Sequence, residues 1–232
     1  MGLFYAYVVD DKNNSNYVWV ITFKDRAAAD EWWRFLENQS TPGLRRLSPQ
    51  FYKYDFKKPI SNLMAVQYGT EPADRQMFIT ITNQGGISTP LIPSEVITDH
   101  INRGSYFIRS QSRPEIYWAL RANGYVCATA APIARAKFKI SMIGDHRRRV
   151  MIDSDDVEIT SKRRQDEDVK IQTDDAGLLQ FGREGDVFKF GDLNRGFRVC
   201  WDRVGPDEPS RGEKFGWICK SDYLGEIWEL TH

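Results

Sequence analysis

The stretch IYWALRANGYVCATAAPIARAKFKISM, residues 116–142, decides how the second half of the chain is interpreted. At its centre Asn123-Gly124 lies between two apolar runs, Tyr117-Trp118 and Tyr125-Val126-Cys127. An Asn-Gly pair between apolar segments is a strong sequence signal for a β-hairpin. The run Lys137–Ile140 then alternates polar and apolar residues, as a strand with one solvated face does. We therefore predict two or three short strands in this stretch.

The same features continue to the C-terminus. From residue 113 to residue 232, short apolar runs alternate with Gly, Asp and Asn, and helical patterns disappear. Such a density of short strands is typical of an all-β domain. We place a domain boundary between residues 112 and 113, and we predict the strands at 116–120, 124–129, 137–143, 149–153, 156–160, 168–172, 177–181, 186–190, 196–201, 215–219 and 226–230.

Residues 1–112 carry a different pattern, in which strands alternate with two helices. Asp25 is a good N-cap for a helix over residues 26–38, and a shorter helix is predicted over 95–103. We interpret Trp32, on the apolar face of the first helix, as a core residue and Trp33 as lying at the margin of the core. This order predicts an α+β domain with an antiparallel sheet and both helices on one face. Its predicted strands are 3–9, 17–23, 51–56, 63–68, 76–82 and 105–110.

Composition restricts the possible partners. Lys plus Arg and Asp plus Glu number 32 each, so the net charge is zero and does not favour nucleic acid or an anionic membrane surface. Aromatic residues make up 13% of the chain, which suits a surface that binds a flat or amphipathic ligand. No apolar run approaches the roughly 20 residues needed to cross a bilayer, and the N-terminus lacks a signal-peptide pattern. We therefore expect a cytoplasmic protein for which neither membrane nor nucleic acid is the partner.

The three cysteines, Cys127, Cys200 and Cys219, each lie in an apolar run, and none has the spacing of a metal site. Their odd number and wide separation favour buried, reduced thiols, which fits a reducing compartment. No P-loop, dinucleotide-binding fingerprint or metalloprotease motif is present. We predict neither a cofactor nor a metal ion.

Three segments of the predicted all-β domain share a turn glycine, an apolar run and an aromatic residue within an alternating strand. The glycine and aromatic pairs are Gly124 and Phe138, Gly177 and Phe188, and Gly216 and Trp228. This pattern resembles the repeats of β-trefoil proteins of the fascin and ricin-B type. The resemblance implies a six-stranded barrel to which each repeat contributes one inward aromatic residue, here Phe138, Phe188 and Trp228. A β-sandwich or jelly roll is the alternative.

Late turns of the chain combine Asp and Asn with aromatic residues. Carbohydrate sites place an aromatic ring against the apolar face of a sugar and a carboxylate or amide against its hydroxyl groups. Carbohydrate binding is also the commonest function that the trefoil resemblance implies. We therefore predict a non-catalytic, lectin-like protein that binds a glycan or another small polar ligand and forms a homodimer through its N-terminal sheet. The candidate ligand-binding residues are Asp192, Asn194, Trp201, Asp222 and Tyr223.

Two other functions are compatible with the sequence. In a ribonuclease-like hydrolase, His100 would act as general acid, Arg109 as phosphate clamp and Glu115 as general base. Alternatively, the protein is a scaffold that binds another protein, as fascin-like trefoils do. The runs Arg147–Arg149 (after His146) and Lys162–Arg164 lie close to acidic residues, and we interpret both as solvated loops.

Overall fold

The computed structural model describes residues 3–10, 18–38, 43–55, 57, 77–82, 97–145, 147–162, 168–200, 215–222 and 225–232. The chain divides into two compact units, residues 1–99 and 100–232. The strand Gly104–Ser110, which was predicted to end the first domain, is part of the second unit, because its pairing partners in the described chain lie there.

The described residues of the first unit form a five-stranded sheet and one helix, α1 (Arg26–Asn38). Its strands are β1 (Phe4–Asp10), β2 (Val18–Phe23), β3 (Leu44–Ser48), β4 (Phe51–Tyr54) and β5 (Met77–Thr82), in the order β3-β4-β1-β2-β5. The expectation of a purely antiparallel sheet is wrong for one pair, since β1 and β4 are parallel. The chain reaches β4 through α1 and β3, and such a crossover permits parallel pairing.

Helix α1 begins and packs as the sequence predicts. The backbone N–H of Ala28 donates to the Asp25 carboxylate at 2.9 Å, which is the geometry of an N-cap. Trp32 is fully buried and Trp33 is 7% exposed. The ring of Trp32 meets the ring of Tyr52 edge to face, with centroids 5.5 Å apart. The interpretation of Trp32 as a core residue is confirmed, and Trp33, which was expected at the margin of the core, is buried as well.

The second predicted helix, 95–103, is wrong over the residues that are described there, 97–103. Ile101 forms an isolated bridge with Val150, and Arg103 has a φ of 65°, which a right-handed helix excludes. Asn102 is fully buried and uses its side chain to accept from the N–H of Met142 and to donate to two carbonyl groups of the loop that follows β9. These tertiary hydrogen bonds override the local helix preference.

The second unit contains eleven strands: β6 (Gly104–Ser110), β7 (Tyr117–Leu120), β8 (Val126–Thr129), β9 (Lys137–Met142), β10 (Asp156–Lys162), β11 (Asp168–Thr173), β12 (Leu179–Gly182), β13 (Phe188–Lys189), β14 (Asn194–Cys200), β15 (Phe215–Lys220) and β16 (Glu226–Thr231). Six strands close a barrel in the order β6-β16-β14-β15-β8-β7, since β7 pairs back to β6. Strands β9 to β12 continue the sheet from β6 outside this ring.

The hairpin predicted around Asn123-Gly124 is confirmed. Strands β7 and β8 pair antiparallel, with Leu120 opposite Val126. Gly124 has a φ of 95°, a conformation that favours glycine, and the Asn123 side chain accepts from the N–H of Tyr125 at 3.3 Å. The strand predicted after this hairpin is β9.

The three aromatic residues assigned to an inward layer are all buried in one core, but their positions are not equivalent. Trp228 lies in barrel strand β16, Phe138 in β9 outside the barrel, and Phe188 in the two-residue strand β13, for which the only described partner is β10. The predicted fold class, an α+β domain with two helices followed by a trefoil-like domain, is therefore wrong. The chain is mostly β, with one α-helix among its described residues and one closed six-stranded barrel.

The prediction of three reduced thiols is wrong for two of them. Cys200 and Cys219 form a disulfide bond between β14 and β15, whereas Cys127 is free and buried. The register explains the pairing, because Trp217 lies opposite Cys200, and Cys219, two residues farther along β15, is its diagonal neighbour. In the described part of the chain no helix is long and apolar enough to cross a membrane.

Candidate functional site

A polar face runs across β6 and β9 to β12. In β9, Phe138 and Ile140 are buried in the core, so Lys137 and Lys139 point to the opposite, exposed face. The pairing registers align one outward row across five strands: Ser105, Lys139, Thr160, Lys170 and Gly182. Neighbouring strands are about 4.8 Å apart, so this row is about 19 Å long.

Two adjoining cavities lie along this face. The first has a volume of about 890 Å³ and extends to Arg103 and Arg183. The second has a volume of about 700 Å³ and extends to Arg121 and Arg135. They share three lining residues: Lys139, Thr160 and Asp168. We call the residues that line the two cavities the basic groove.

The charge of the basic groove differs from that of the whole chain. Among the described residues, eight basic and two acidic side chains line it, a formal charge of +6, whereas the net charge of the protein is zero. Like charges that line a concave surface focus the electrostatic potential and attract ligands of the opposite sign. The basic residues are Arg103, Arg121, Arg135, Lys137, Lys139, Lys162, Lys170 and Arg183, and the acidic ones are Glu158 and Asp168.

Aromatic rings position three of these cations. The Arg135 guanidinium lies 3.8 Å from the ring centre of Tyr117, and the Lys137 ammonium lies 5.1 Å from that of Phe107. Arg121 stacks on Phe215 in the same way, at 4.3 Å. Stacking uses the flat face of a guanidinium group, whereas its N–H donors lie in the plane and point from its edge. Such a group remains able to bind a carboxylate, sulfate or phosphate.

An ion pair limits the charge of the first cavity. The Lys170 ammonium lies 3.0 Å from the Glu158 carboxylate on the neighbouring strand. The first cavity has four basic and two acidic side chains, and the second has five basic and one acidic. The second cavity is therefore the more positive of the two, with a formal charge of +4 against +2.

Three of the five residues predicted to bind carbohydrate, Asp192, Asn194 and Asp222, are described, and none of these three lines the basic groove. Asp192 accepts from the backbone N–H of Lys189 at 3.1 Å and caps the short 3-10 helix Phe190–Leu193. Asn194 is exposed at the start of β14, and Asp222 is exposed beyond β15. Asp192 thus has a structural role, in agreement with the preference of Asp for turns and caps. The remaining two candidates, Trp201 and Tyr223, lie outside the described residues.

The residues of the ribonuclease alternative are not assembled into one site. His100 precedes β6, and its ring packs against Phe190 with centroids 5.4 Å apart. Arg109 lies near the other end of β6 and donates to the Glu229 carboxylate at 2.8 Å. Residues 104–109 span about 17 Å of extended strand, which separates the proposed acid from the proposed phosphate clamp. Glu115 is exposed in the turn before β7.

Two arginines of the first basic run, Arg147 and Arg149, have different surroundings. Arg147 is exposed and donates to the Asp145 carboxylate at 2.9 Å, as a solvated loop residue does. Arg149 is buried, and its guanidinium lies 3.3 Å from the same carboxylate. Hydrogen bonds from Arg147 above all hold the pKa of Asp145 well below its usual range. His146 lies outside the described residues.

Sequence reasoning missed the contribution of Lys162 to the groove. This residue was assigned to a solvated loop, but it ends β10 and lines the second cavity. The alternation in DVEITSK, residues 156–162, contains the signal, because it places Glu158, Thr160 and Lys162 on one face. Arg163 and Arg164, in the same predicted loop, lie outside the described residues.

No known protein-family model and no curated protein matches this chain. No group of three or more His, Cys, Asp or Glu side chains that could hold a metal ion occurs among the described residues. The function is therefore inferred from the shape and charge of the basic groove.

Proposed function

We propose that this protein is a non-catalytic binding protein and that its ligand is an anionic carbohydrate held in the basic groove. The observation that supports this function is the formal charge of +6 in two adjoining cavities of a protein whose net charge is zero. Like charges that line a concave surface repel one another, and an anionic ligand that binds there reduces this repulsion.

Hydroxyl groups between the lysines favour a carbohydrate. Ser105 and Thr160 lie directly opposite Lys139 on the two neighbouring strands, so each of these strands carries a hydroxyl side chain next to the lysine in the row. Hydroxyl side chains accept from and donate to sugar hydroxyl groups, while the ammonium group binds an acidic substituent. A glycan that carries sulfate or carboxylate groups matches both kinds of side chain.

A single-stranded nucleic acid is the less suitable anion. Proteins that bind such strands combine a basic groove with aromatic faces on which bases stack. At the margin of the second cavity, cations already cover the faces of Tyr117, Phe107 and Phe215. None of the described residues that line the second cavity is aromatic, and Phe181, which lines the first, packs against the core. These features favour a carbohydrate over a single-stranded nucleic acid as the ligand.

The carbohydrate class thus agrees with the sequence-based hypothesis, but the proposed location differs from the predicted residues. The homodimer and the cytoplasmic location stay predictions. The disulfide bond between Cys200 and Cys219 weighs against the cytoplasm, because such bonds persist mainly in oxidising compartments.

The test is calorimetric titration with low-molecular-weight heparin, a sulfated glycan, in parallel with neutral dextran. We expect heparin to bind, dextran not to bind, and the heparin affinity to fall steeply as salt rises, since counterions are released on binding. Lys139→Met removes a cation shared by both cavities and should weaken heparin binding. Lys24→Met, at an exposed lysine of the first unit, is the charge-matched control and should bind as the wild type does.

Equal binding of heparin and dextran, or no binding of heparin at low salt, would contradict the proposed function. Tighter binding of polyuridine RNA than of heparin would replace the ligand class with nucleic acid. Equal losses of heparin affinity in the Lys139→Met and Lys24→Met variants would show that heparin binds through non-specific surface charge and not in the groove.

A further inference from the structure

We infer that the basic groove binds an extended polyanionic glycan chain through two subsites, one in each cavity, that meet at Lys139 and Thr160. This inference rests on the proposed function and specifies its ligand as a chain with repeated acidic groups, not a single acidic sugar. The residues that the two cavities share and the distribution of the cations support it.

The continuity of the two cavities is the first reason to infer a ligand that occupies both. Lys139 and Thr160 line both cavities and lie opposite each other on β9 and β10. Asp168 is the third residue that lines both cavities, so a chain that passes from one cavity to the other meets an ammonium, a hydroxyl and a carboxylate group at the junction. A polar junction is compatible with the polar backbone of a glycan.

The distribution of the cations along the groove is the second reason to infer a ligand with several acidic groups. Three cations line the first cavity alone, and four line the second alone. The aligned row from Ser105 to Gly182 is about 19 Å long, roughly twice the Debye length at physiological salt. A single sulfate or carboxylate at one end is therefore screened from the cations at the other end. Only a ligand with several acidic groups neutralises the full groove.

The unequal charge of the subsites predicts an order of occupancy. The second cavity has a formal charge of +4 and the first of +2, and Glu158 already pairs with Lys170 in the first. Short chains should therefore occupy the second cavity. Longer chains should extend across Lys139 into the first.

The experiment measures the affinity of heparin-derived di-, tetra-, hexa- and octasaccharides for the full chain by calorimetry at physiological salt, where the Debye length is about 8 Å. Arg183→Gln removes a cation found in the first cavity alone, and Lys137→Met removes one found in the second alone while keeping a side chain over Phe107. Both side chains are exposed, so the variants should fold, which circular dichroism checks. Lys139→Arg, which keeps the charge at the junction, is the matched control for Lys139→Met.

We expect the wild-type affinity to rise with chain length and then reach a plateau at one chain per protein. Arg183→Gln should lower the affinity for the octasaccharide about five- to tenfold and leave the affinity for the disaccharide unchanged. Lys137→Met should lower the affinity for both. Lys139→Met should weaken every length, and Lys139→Arg should restore most of the affinity.

Binding of the disaccharide as tight as that of the octasaccharide would overturn the two-subsite inference and leave the proposed function in place. So would an equal effect of Arg183→Gln on both lengths. Absence of binding at every length would instead remove the proposed function, which keeps the two failures distinguishable.

Discussion

The indole rings of Trp118 and Trp228 meet edge to face in the core of the second unit, with ring centroids 5.6 Å apart and planes inclined by 74°. Their N–H groups differ. Nε1 of Trp228 donates to the carbonyl oxygen of Phe197 at 3.1 Å, whereas Nε1 of Trp118 has no acceptor among the described residues. Two buried tryptophans in contact therefore differ in whether their polar atom is hydrogen-bonded.

This difference predicts different effects of the same substitution. Trp118→Phe removes apolar volume but also an unsatisfied buried donor, whose presence is unfavourable. Trp228→Phe removes similar volume and leaves the Phe197 carbonyl without its donor. We expect the free energy of unfolding to fall by about 1 kcal/mol more in Trp228→Phe than in Trp118→Phe. Urea unfolding followed by circular dichroism measures the free energy of unfolding of both variants. Equal losses would contradict the inference that only the Trp228 indole is hydrogen-bonded.

A buried guanidinium group links β3 to α1 in the first unit. Arg46 on β3, whose side chain is 4% exposed, donates to the Asp30 carboxylate of α1 at 2.7 Å and to that of Asp99 at 2.8 Å. Removing one partner of such a group leaves uncompensated buried charge, a cost of about 3–5 kcal/mol. We expect Arg46→Met to lower the free energy of unfolding by about that amount, as measured by urea denaturation.

The neighbouring arginine is the control for that prediction. Arg45 is exposed on the same strand, so Arg45→Met should change the free energy of unfolding by less than about 0.5 kcal/mol. The double variant Arg46→Met/Asp30→Asn should lose less than the sum of its two single variants, because the second change removes a buried carboxylate whose partner among the arginines is then Arg26, at 3.3 Å. Additive losses would indicate that the pair does not interact.

The sequence predicts those parts of the fold that local chemistry determines. The β7–β8 hairpin depends on its Asn123-Gly124 turn, and the start of α1 depends on the Asp25 cap; both signals are contained in a few consecutive residues. The predicted helix over 95–103 failed because Asn102 is held by the loop that follows β9, more than 40 residues away in sequence. A contact over that distance leaves no periodic pattern in the chain.

The candidate site was missed for a similar reason. Alternation in β9 and in β10 predicts which side chains face outward, but not that the two strands are neighbours. Lys139 and Lys170 lie in one row only because Thr160 pairs with both of them. Net charge averaged over the whole chain concealed the local surplus of cations, and the residues that were chosen, such as Asp192, are polar for reasons of turn geometry.

A half-buried carboxylate makes the second unit sensitive to acid. Glu226 at the start of β16 accepts from the hydroxyl groups of Ser110 and Ser112 and lies 3.1 Å from the Arg113 guanidinium. Burial would raise the pKa of Glu226, but these donors outweigh it and hold the pKa below its usual value. The resulting stabilisation is therefore fully present above the pKa of the unfolded chain, about 4.3, and is lost as pH falls through the lower pKa of the folded protein.

Glu226→Gln should remove this pH dependence. We expect the free energy of unfolding to fall by about 1.5 kcal/mol at pH 7, with a smaller difference from the wild type at pH values below the folded-state pKa. Urea unfolding across that range measures the effect. Glu184→Gln, at an exposed glutamate, is the control and should leave the pH profile unchanged. A constant difference between Glu226→Gln and wild type at all pH values would contradict the pKa direction.

The disulfide bond between Cys200 and Cys219 predicts both a thiol count and a stability change. Denatured, unreduced protein should contain one reactive thiol, that of Cys127, and reduced protein should contain three. The bond closes a loop over a sequence separation of 19, and restricting an unfolded chain over such a loop is worth about 3 kcal/mol. Cys200→Ala/Cys219→Ala should lower the free energy of unfolding by that amount, and a reductant should destabilise the wild type equally while leaving the double variant unchanged. Three reactive thiols in protein isolated under rapid alkylation would show that the bond does not form in the cell, and would restore the expectation of a reducing compartment.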